Sequence, residues 1–105
     1  TFAPRFPQAL AALGRWVAPY RGVLFCSWGD YDRIQFERDC AWHNVAYPFG
    51  RQHLNLKQSF ARRHGLTRAI ALPSALRLLN LPQTGVEHRG LDDARNIARL
   101  IPYIV

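Results

Sequence analysis

The sequence predicts an α/β fold, and three observations support this prediction. Two short apolar runs rich in strand-forming residues alternate with longer segments that have helical periodicity. The chain has 105 residues, which suits one domain, and 49% of them are hydrophobic, too many for a disordered basic tail. No apolar run is long enough to span a membrane and no signal peptide opens the sequence, so we expect a soluble, cytoplasmic protein with no membrane partner.

The first half of the chain is predicted to contain a helix, a strand and a second helix. Residues 6–17 place apolar side chains at 3-to-4 spacing, which predicts an amphipathic helix that Pro19 ends. Residues 22–28 are almost continuously apolar, as in a strand that is buried on both faces. Gly29 then turns the chain into the second helix, residues 30–44.

The second half is predicted to contain one more short strand and three helices. The strand covers residues 53–56. The helices cover residues 57–64, 73–80 and 91–101, and a loop at 81–90 precedes the last of them. Two short strands make a poor sheet, so we expect these two to be part of a larger one.

Charge is distributed unevenly along the chain. There are 14 Lys and Arg against 7 Asp and Glu, a formal charge of +7, and residues 40–86 contain no acid at all. The basic residues of this acid-free segment are Arg51, Lys57, Arg62, Arg63, Arg68 and Arg77. A basic surface beside two acidic clusters fits a polyanionic ligand and a cation site, and the alternative is a solvated surface with ion pairs inside helices.

The first acidic cluster contains an aspartate at the head of an apolar stripe. Asp32, Phe36 and Cys40 recur at every fourth position, so one face of the second helix carries all three. We therefore expect Asp32 to point inward, where a carboxylate is costly to desolvate unless a cation such as a divalent metal meets it. The alternative is that Asp32, like Asp30, only benefits from the helix N-terminus.

The second acidic cluster repeats this arrangement at the start of the last helix. Asp93 shares a stripe with Ile97, whereas Asp92 shares the opposite side with Asn96 and Arg99. We therefore expect Asp93 to point inward and Asp92 to point outward. The alternative here too is that both acids only benefit from the helix N-terminus.

One histidine is a candidate for proton transfer. His88 precedes Asp93 in the loop that enters the last helix, and a neutral imidazole can accept a proton from water. The alternative is an ordinary surface histidine, which is what we expect of His43, His53 and His64.

The sulfur-containing residues carry two further expectations. Cys26 and Cys40 lie in apolar stretches without metal-site spacing, so we expect reduced core thiols. The sequence has no methionine, so we expect that residue 1 is not the native start. Loss of an initiator Met alone would explain this, and so would a missing N-terminal segment, which the motifs described next favour.

Two motifs resemble those of the DEDDh 3′-to-5′ exonucleases. Residues 28–32, Trp-Gly-Asp-Tyr-Asp, resemble the second motif of that family, in which an aromatic residue and an Asp follow a central strand. Residues 88–94, His-Arg-Gly-Leu-Asp-Asp-Ala, resemble the third motif, a His followed five residues later by Asp and then Ala. The amino-acid sequences of these two motifs are most similar to those of the branch that contains the histone-mRNA exonuclease and the bacterial sporulation-kinase pathway inhibitor.

This resemblance implies a ribonuclease-H-like fold and hydrolysis of single-stranded RNA or DNA from its 3′ end by two Mg²⁺ or Mn²⁺ ions. It implies that Asp93 is a direct metal ligand, that Asp32 supports the metal pair either directly or through water, and that His88 is the general base for the attacking water. For Trp28, the alternative to base stacking is a role in core packing. The implied substrate-binding residues are Tyr31, Trp28 and Arg89.

The chain departs from the family at one motif. The family's first motif, Asp-x-Glu on the first strand, does not occur in this sequence. We therefore expect residues 1–105 to be the C-terminal portion of a single exonuclease domain, without its N-terminal strands and inactive alone. The alternative is a non-catalytic, Arg-rich module that binds nucleic acid or protein on a degenerate nuclease fold. The oligomeric state stays open.

Overall fold

The computed structural model describes residues 5–86 and 88–105. Within these ranges the protein contains both helices and strands, compatible with the predicted α/β class. The elements are α1 (Phe6–Val17), β1 (Phe25–Ser27), α2 (Tyr31–Trp42), β2 (His53–Asn55), α3 (Leu56–Arg63), α4 (Leu72–Leu78), α5 (Gly90–Leu100) and a 3₁₀ turn (Ile101–Tyr103). β1 and β2 pair in a small parallel sheet. No helix in the described ranges is long and apolar enough to cross a membrane.

The chain divides into two compact units. The first unit consists of the chain up to Phe25 together with Asp30–Leu54, and the second unit consists of Cys26–Gly29 together with Asn55–Val105. The boundaries fall within the two strands, so β1 and β2 each contribute residues to both units.

Aromatic rings form the interior of the first unit. The ring centroid of Phe36 on α2 lies 5.8 Å from that of Phe6, 6.0 Å from that of Phe25 and 5.7 Å from that of Phe49. The ring of Tyr47 joins this set at 5.8 Å from Phe36. All five residues are half-buried, so the rings exclude water from one another without being enclosed.

Two buried polar groups of the first unit have raised pKa values. The hydroxyl of Tyr47 is buried without a hydrogen-bond partner, and burial together with the charge of Glu37 raises the pKa of its phenol. Burial, followed by the charge of Asp39, raises the pKa of the Cys40 thiol. Cys40 and Cys26 are both free, and Cys40 is buried while Cys26 is half-buried. A thiol that stays protonated is a poor nucleophile, in line with the prediction of reduced core cysteines.

The second unit has a mostly aliphatic core. Its buried hydrophobic residues are Leu56, Phe60, Ala61, Ala75, Leu76, Leu100 and Ile104. Trp28 also packs on Phe60, with ring centroids 5.8 Å apart. Nε2 of His64 lies 3.0 Å from the carbonyl oxygen of Tyr103, and this contact links the end of α3 to the 3₁₀ turn.

The helices lie close to their predicted positions. α1 has the predicted bounds, and α3 ends before Gly65, which lies at φ +65° in the region that favours glycine. Asn55 caps the start of α3, since its side chain accepts a hydrogen bond from the Gln58 N–H at 3.1 Å.

The first strand is shorter than predicted. The expected range was 22–28, and the structure has Phe25–Ser27. Gly22 lies at φ +68°, a turn conformation, and Val23 and Leu24 are exposed. The apolar run therefore begins as an exposed turn, and only its end forms a strand.

Candidate functional site

The predicted inward orientation of Asp32 is wrong. Asp32 lies in the first turn of α2 and is exposed, whereas Phe36 is half-buried and Cys40 is buried on the same stripe. Side chains on a helix tilt toward its N-terminus, so a first-turn residue projects beyond the packed part of the helix. The carboxylate of Asp32 is therefore open to solvent and to ligands.

The two aromatic residues near Asp32 in sequence differ in their surroundings. Tyr31 is 73% exposed. Trp28 is half-buried, its indole N–H donates a hydrogen bond to the carbonyl oxygen of Ile70 at 3.0 Å, and its ring packs on Phe60. Trp28 thus has the contacts of a packing residue, whereas the ring of Tyr31 is open to solvent.

A histidine that was predicted to be an ordinary surface residue is buried beside the same motif. The side chain of His53 is 5% exposed, and its Nδ1 lies 3.6 Å from Oδ1 of Asp30. Its ring lies 5.2 Å from that of Phe25. The prediction for His53 is wrong because β2 directs this ring toward the aromatic interior of the first unit. Asp30 stands at the N-terminus of α2 and makes no capping hydrogen bond with its side chain.

The prediction that Asp92 and its neighbours on α5 point outward is also wrong. The side chain of Asp92 is 13% exposed and Asn96 is fully buried, whereas Asp93 is half-buried. Polar residues suggested a solvated face, but the loop before α5 covers this face with backbone groups that polar side chains can pair.

Three residues on this face, Asp92, Asn96 and Arg99, form what we call the α5 clamp. Asn96 is the middle residue: its Oδ1 accepts from the N–H and the hydroxyl of Thr84, each at 3.0 Å, and its Nδ2 donates to the Thr84 carbonyl oxygen at 2.9 Å. Nη1 of Arg99 donates to the Thr84 hydroxyl at 2.9 Å and to the carbonyl oxygen of Pro82. Thr84 is thereby fixed to α5.

Asp92 forms the second half of the clamp. Its Oδ2 accepts a hydrogen bond from the Val86 N–H at 3.0 Å and lies 3.9 Å from Nε of Arg89. Gly85 stands against the same carboxylate at φ +74°, and a Cβ at that position would overlap the Asp92 side chain. The absence of a side chain at Gly85 is therefore a condition of this contact.

His88 lies in the turn that the clamp borders. The Arg89 N–H donates to the Val86 carbonyl oxygen at 3.2 Å, and His88 has φ +67°, which is unusual for a residue with a side chain. His88 is exposed, and the side chain of Arg89 is 70% exposed. The Asp93 N–H donates to the Arg89 carbonyl oxygen at 2.9 Å, so the turn leads directly into α5. The second unit therefore brings His88, Arg89 and Asp93 together in one continuous segment.

Asp32 and Asp93 are the residues predicted to bind metal. In the part of the chain that the structure describes, no group of three or more His, Cys, Asp or Glu side chains is placed to hold a metal ion. Asp32 belongs to the first unit and Asp93 to the second. Carboxylates are the right ligand type for Mg²⁺, but a two-metal site needs more ligands than these residues supply.

Exposed arginines mark the part of the acid-free segment that lies in the second unit. Arg62 and Arg63 end α3, Arg68 follows it, and Arg77 lies in α4. All four are exposed, as a surface that contacts phosphates requires.

Sequence reasoning placed Asn96 and Arg99 on one face with Asp92 but directed that face outward, and it gave Thr84 no role. A polar face of this kind that follows a loop with Thr and Gly can pair the backbone of that loop.

The chain is similar to two proteins named 3′-5′ exoribonuclease 1. It is 28% identical over 107 aligned residues to the protein from Rattus norvegicus and 29% identical over 107 to the protein from Homo sapiens. Each alignment covers 93% of this chain but only 31% and 30% of the relatives, so the chain spans about a third of their length. No family model matches the chain. No solved structure matches it either.

Proposed function

We propose that the complete protein containing this chain is a metal-dependent exonuclease that hydrolyses single-stranded RNA from its 3′ end. The observation that carries this proposal is the similarity to two 3′-5′ exoribonucleases over 93% of the chain. The motif residues His88, Asp93 and Asp32 add support because two of them lie in one segment and all three can be reached by solvent. We also propose that the protein belongs to the branch with the histone-mRNA exonuclease, because the sequences of its two motifs are most similar to that branch.

His88 is the proposed general base. It is exposed in a turn whose ends are fixed by hydrogen bonds, so its ring can approach a bound substrate from a defined backbone position. Its task is to accept a proton from the water that attacks the terminal phosphodiester.

Tyr31 and Arg89 are the proposed substrate contacts. The exposed ring of Tyr31 suits stacking on the terminal base, and the exposed guanidinium of Arg89 suits a phosphate oxygen. Trp28 is not included, because its indole is engaged by Ile70 and Phe60.

Asp93 and Asp32 are the proposed ligands of Mg²⁺ or Mn²⁺, together with an Asp-x-Glu motif elsewhere in the complete protein. A Mn²⁺ titration followed by NMR tests this directly, since the paramagnetic ion broadens nearby amide signals. We expect broadening around Asp93 in the complete protein and its loss in Asp93→Asn. Unchanged broadening in that variant would remove Asp93 from the ligand set.

The proposed activity is tested with the full reading frame and a 5′-labelled single-stranded RNA in Mg²⁺. We expect products that shorten stepwise from the 3′ end, and a fall in kcat of about 10²- to 10⁴-fold in His88→Ala, the usual contribution of a general base. His43→Ala is the matched control, because His43 is also an exposed histidine and lies in the first unit.

Two results would contradict the proposal. One is a complete protein that leaves the labelled RNA intact in both Mg²⁺ and Mn²⁺. The other is full activity in His88→Ala. A DNA oligonucleotide of the same sequence, assayed in parallel, shows whether the enzyme requires the 2′-hydroxyl.

The second candidate function is a non-catalytic module that binds nucleic acid. The exposed Arg62, Arg63, Arg68 and Arg77 favour it. Binding of RNA by the complete protein would then weaken steeply with salt, because phosphate contacts release counterions. An inert protein whose native sequence lacks Asp-x-Glu, and which binds RNA in this way, would establish the module instead of the enzyme.

A further inference from the structure

We infer that the α5 clamp and its partner Thr84 are positioning residues that set the location of His88 and thereby the rate of the reaction. The inference rests on the proposed function, because it assigns a task to His88. The resemblance to the exonucleases assigned roles to Asp32, Asp93 and His88. It assigned none to Asn96, Arg99 or Thr84.

The clamp fixes the loop at two successive points. Asn96 pairs both the N–H and the carbonyl oxygen of Thr84, and Asp92 pairs the N–H of Val86 two residues later. These bonds attach the loop backbone to α5, the helix that the loop itself enters. Thr84 and Val86 on one side of His88, and Arg89 on the other, are therefore held in a short closed path by hydrogen bonds.

His88 lies inside that closed path in a conformation that it would seldom adopt unaided. A non-glycine residue at φ +67° persists only where the surroundings determine the backbone. Here the bond from the Arg89 N–H to the Val86 carbonyl oxygen closes the turn, and Asp92 contacts residues on both sides of it. The direction of the imidazole consequently depends on a helix face that does not itself touch the substrate.

A general base tolerates little displacement, since a shift of about 1 Å in a reacting group can cost about 10²-fold in rate. Loosening the clamp should therefore lower kcat. In Thr84→Val we expect KM to stay nearly unchanged, because the hydroxyl lost there bonds to Asn96 and Arg99 and not to the proposed substrate contact Arg89. We expect kcat to fall about 10-fold to 100-fold in Asp92→Ala.

Conservative variants separate positioning from general damage. Asp92→Asn keeps an oxygen that can accept the Val86 N–H, so it should retain most of the activity that Asp92→Ala loses. Thr84→Val removes the hydroxyl that Asn96 and Arg99 bind, whereas Thr84→Ser keeps it. Thr84 is also remote in sequence from Asp93, so a fall in kcat for Thr84→Val, but not Thr84→Ser, cannot come from disturbing that carboxylate.

The closing experiment is a double-mutant cycle in the complete protein with His88→Ala. If the clamp acts through His88, Asp92→Ala and Thr84→Val lower kcat in the wild-type background and have no further effect once His88 is absent. Asp39→Asn is the matched control, a helix carboxylate that accepts from Gln35 and lies in the first unit. Additive losses in the cycle, or unchanged kcat in both clamp variants, would overturn the inference.

Amide hydrogen exchange distinguishes failure of this inference from failure of the proposed function. We expect exchange at Val86 to accelerate at least about 10-fold in Asp92→Ala, the loss of one hydrogen bond of about 1.4 kcal/mol, with Asn55–Arg63 unaffected. This readout needs no activity. Unchanged exchange at Val86 would overturn the clamp even in an active enzyme, and an inert protein with accelerated exchange would overturn only the proposed function.

Discussion

In the first unit the interior consists of half-buried aromatic rings, whereas in the second unit aliphatic side chains are enclosed and a polar clamp secures a loop. Among the described residues of the first unit, Cys40 is the one hydrophobic side chain that is fully buried, while α3, α4 and α5 of the second unit bury several. Asp32 and Asp93, which have the same predicted role, therefore lie on helices that are packed to different degrees: α2 lies in a loosely enclosed unit and α5 in a tightly enclosed one.

The largest expected effect compares the two interiors directly. Phe60→Ala empties a fully enclosed site and should lower the free energy of unfolding by about 3 to 5 kcal/mol. Phe36→Ala removes a half-buried ring and should cost about 1 to 3 kcal/mol, because solvent already reaches part of its site. Urea denaturation of the complete protein measures both. Equal losses would show that the ring cluster packs as tightly as the aliphatic core.

The next effect compares two glycines at positive φ. Gly85→Ala adds a methyl group that meets the Asp92 carboxylate and should cost about 2 to 3 kcal/mol, with faster amide exchange at Val86. Gly22→Ala is the control, because φ +68° is similar there but nothing lies within 4 Å of the new Cβ, so about 1 kcal/mol is expected. Identical losses would mean that the contact with Asp92 adds nothing.

Much of the fold follows from the sequence, because helix periodicity, proline and glycine are local signals. The bounds of α1 and the end of α3 at Gly65 are examples. The error at β1 has a physical reason as well: Val23 and Leu24 are apolar, but a local pattern does not reveal whether a partner covers them.

The candidate site was predicted less completely. Its motif residues could be found from spacing, but the burial of Asp92 and Asn96 depends on a loop that folds back onto α5. Periodicity predicted that these polar residues are exposed to solvent, because a periodic pattern does not show which backbone groups of a loop need hydrogen-bond partners. His53 was misjudged for a similar reason, because its surroundings come from Phe25 and Asp30, which are distant in sequence.

A smaller effect concerns the buried hydroxyl of Tyr47, which has no hydrogen-bond partner among the aromatic rings of the first unit. Tyr47→Phe keeps the ring contacts with Phe36 and Phe49 and removes a buried group that has no partner, so the protein should gain about 0.5 to 1 kcal/mol. Burial raises the pKa of Tyr47 in the folded state above that of the unfolded chain. Deprotonation therefore favours the unfolded chain, so the stability of the wild-type protein is constant below the unfolded pKa, near 10, and falls as pH rises from there through the folded pKa.

Unfolding measured between pH 8 and pH 11 tests this assignment. The wild-type protein should lose more stability at the alkaline end than Tyr47→Phe does. Parallel curves for the two proteins would contradict a buried, unpaired phenol.

The smallest expected effect belongs to the surface of the first unit. Arg33 and Glu37 on α2 form an ion pair at 3.4 Å, and both side chains are partly exposed. Glu37→Gln should change the free energy of unfolding by no more than about 0.5 kcal/mol, and less at high salt. A larger, salt-resistant loss would show that the surface of the first unit contributes to its stability as the clamp does in the second.

The three indoles of the protein differ in a way that makes each unit separately visible to fluorescence. Trp16 and Trp42 are 70% and 86% exposed, so their emission already resembles that of indole in water. Trp28, hydrogen-bonded and packed on Phe60, belongs to the second unit and reports a low-polarity environment. Excitation of the native protein therefore yields a blue-shifted component from a single reporter, and an iodide quencher silences the other two.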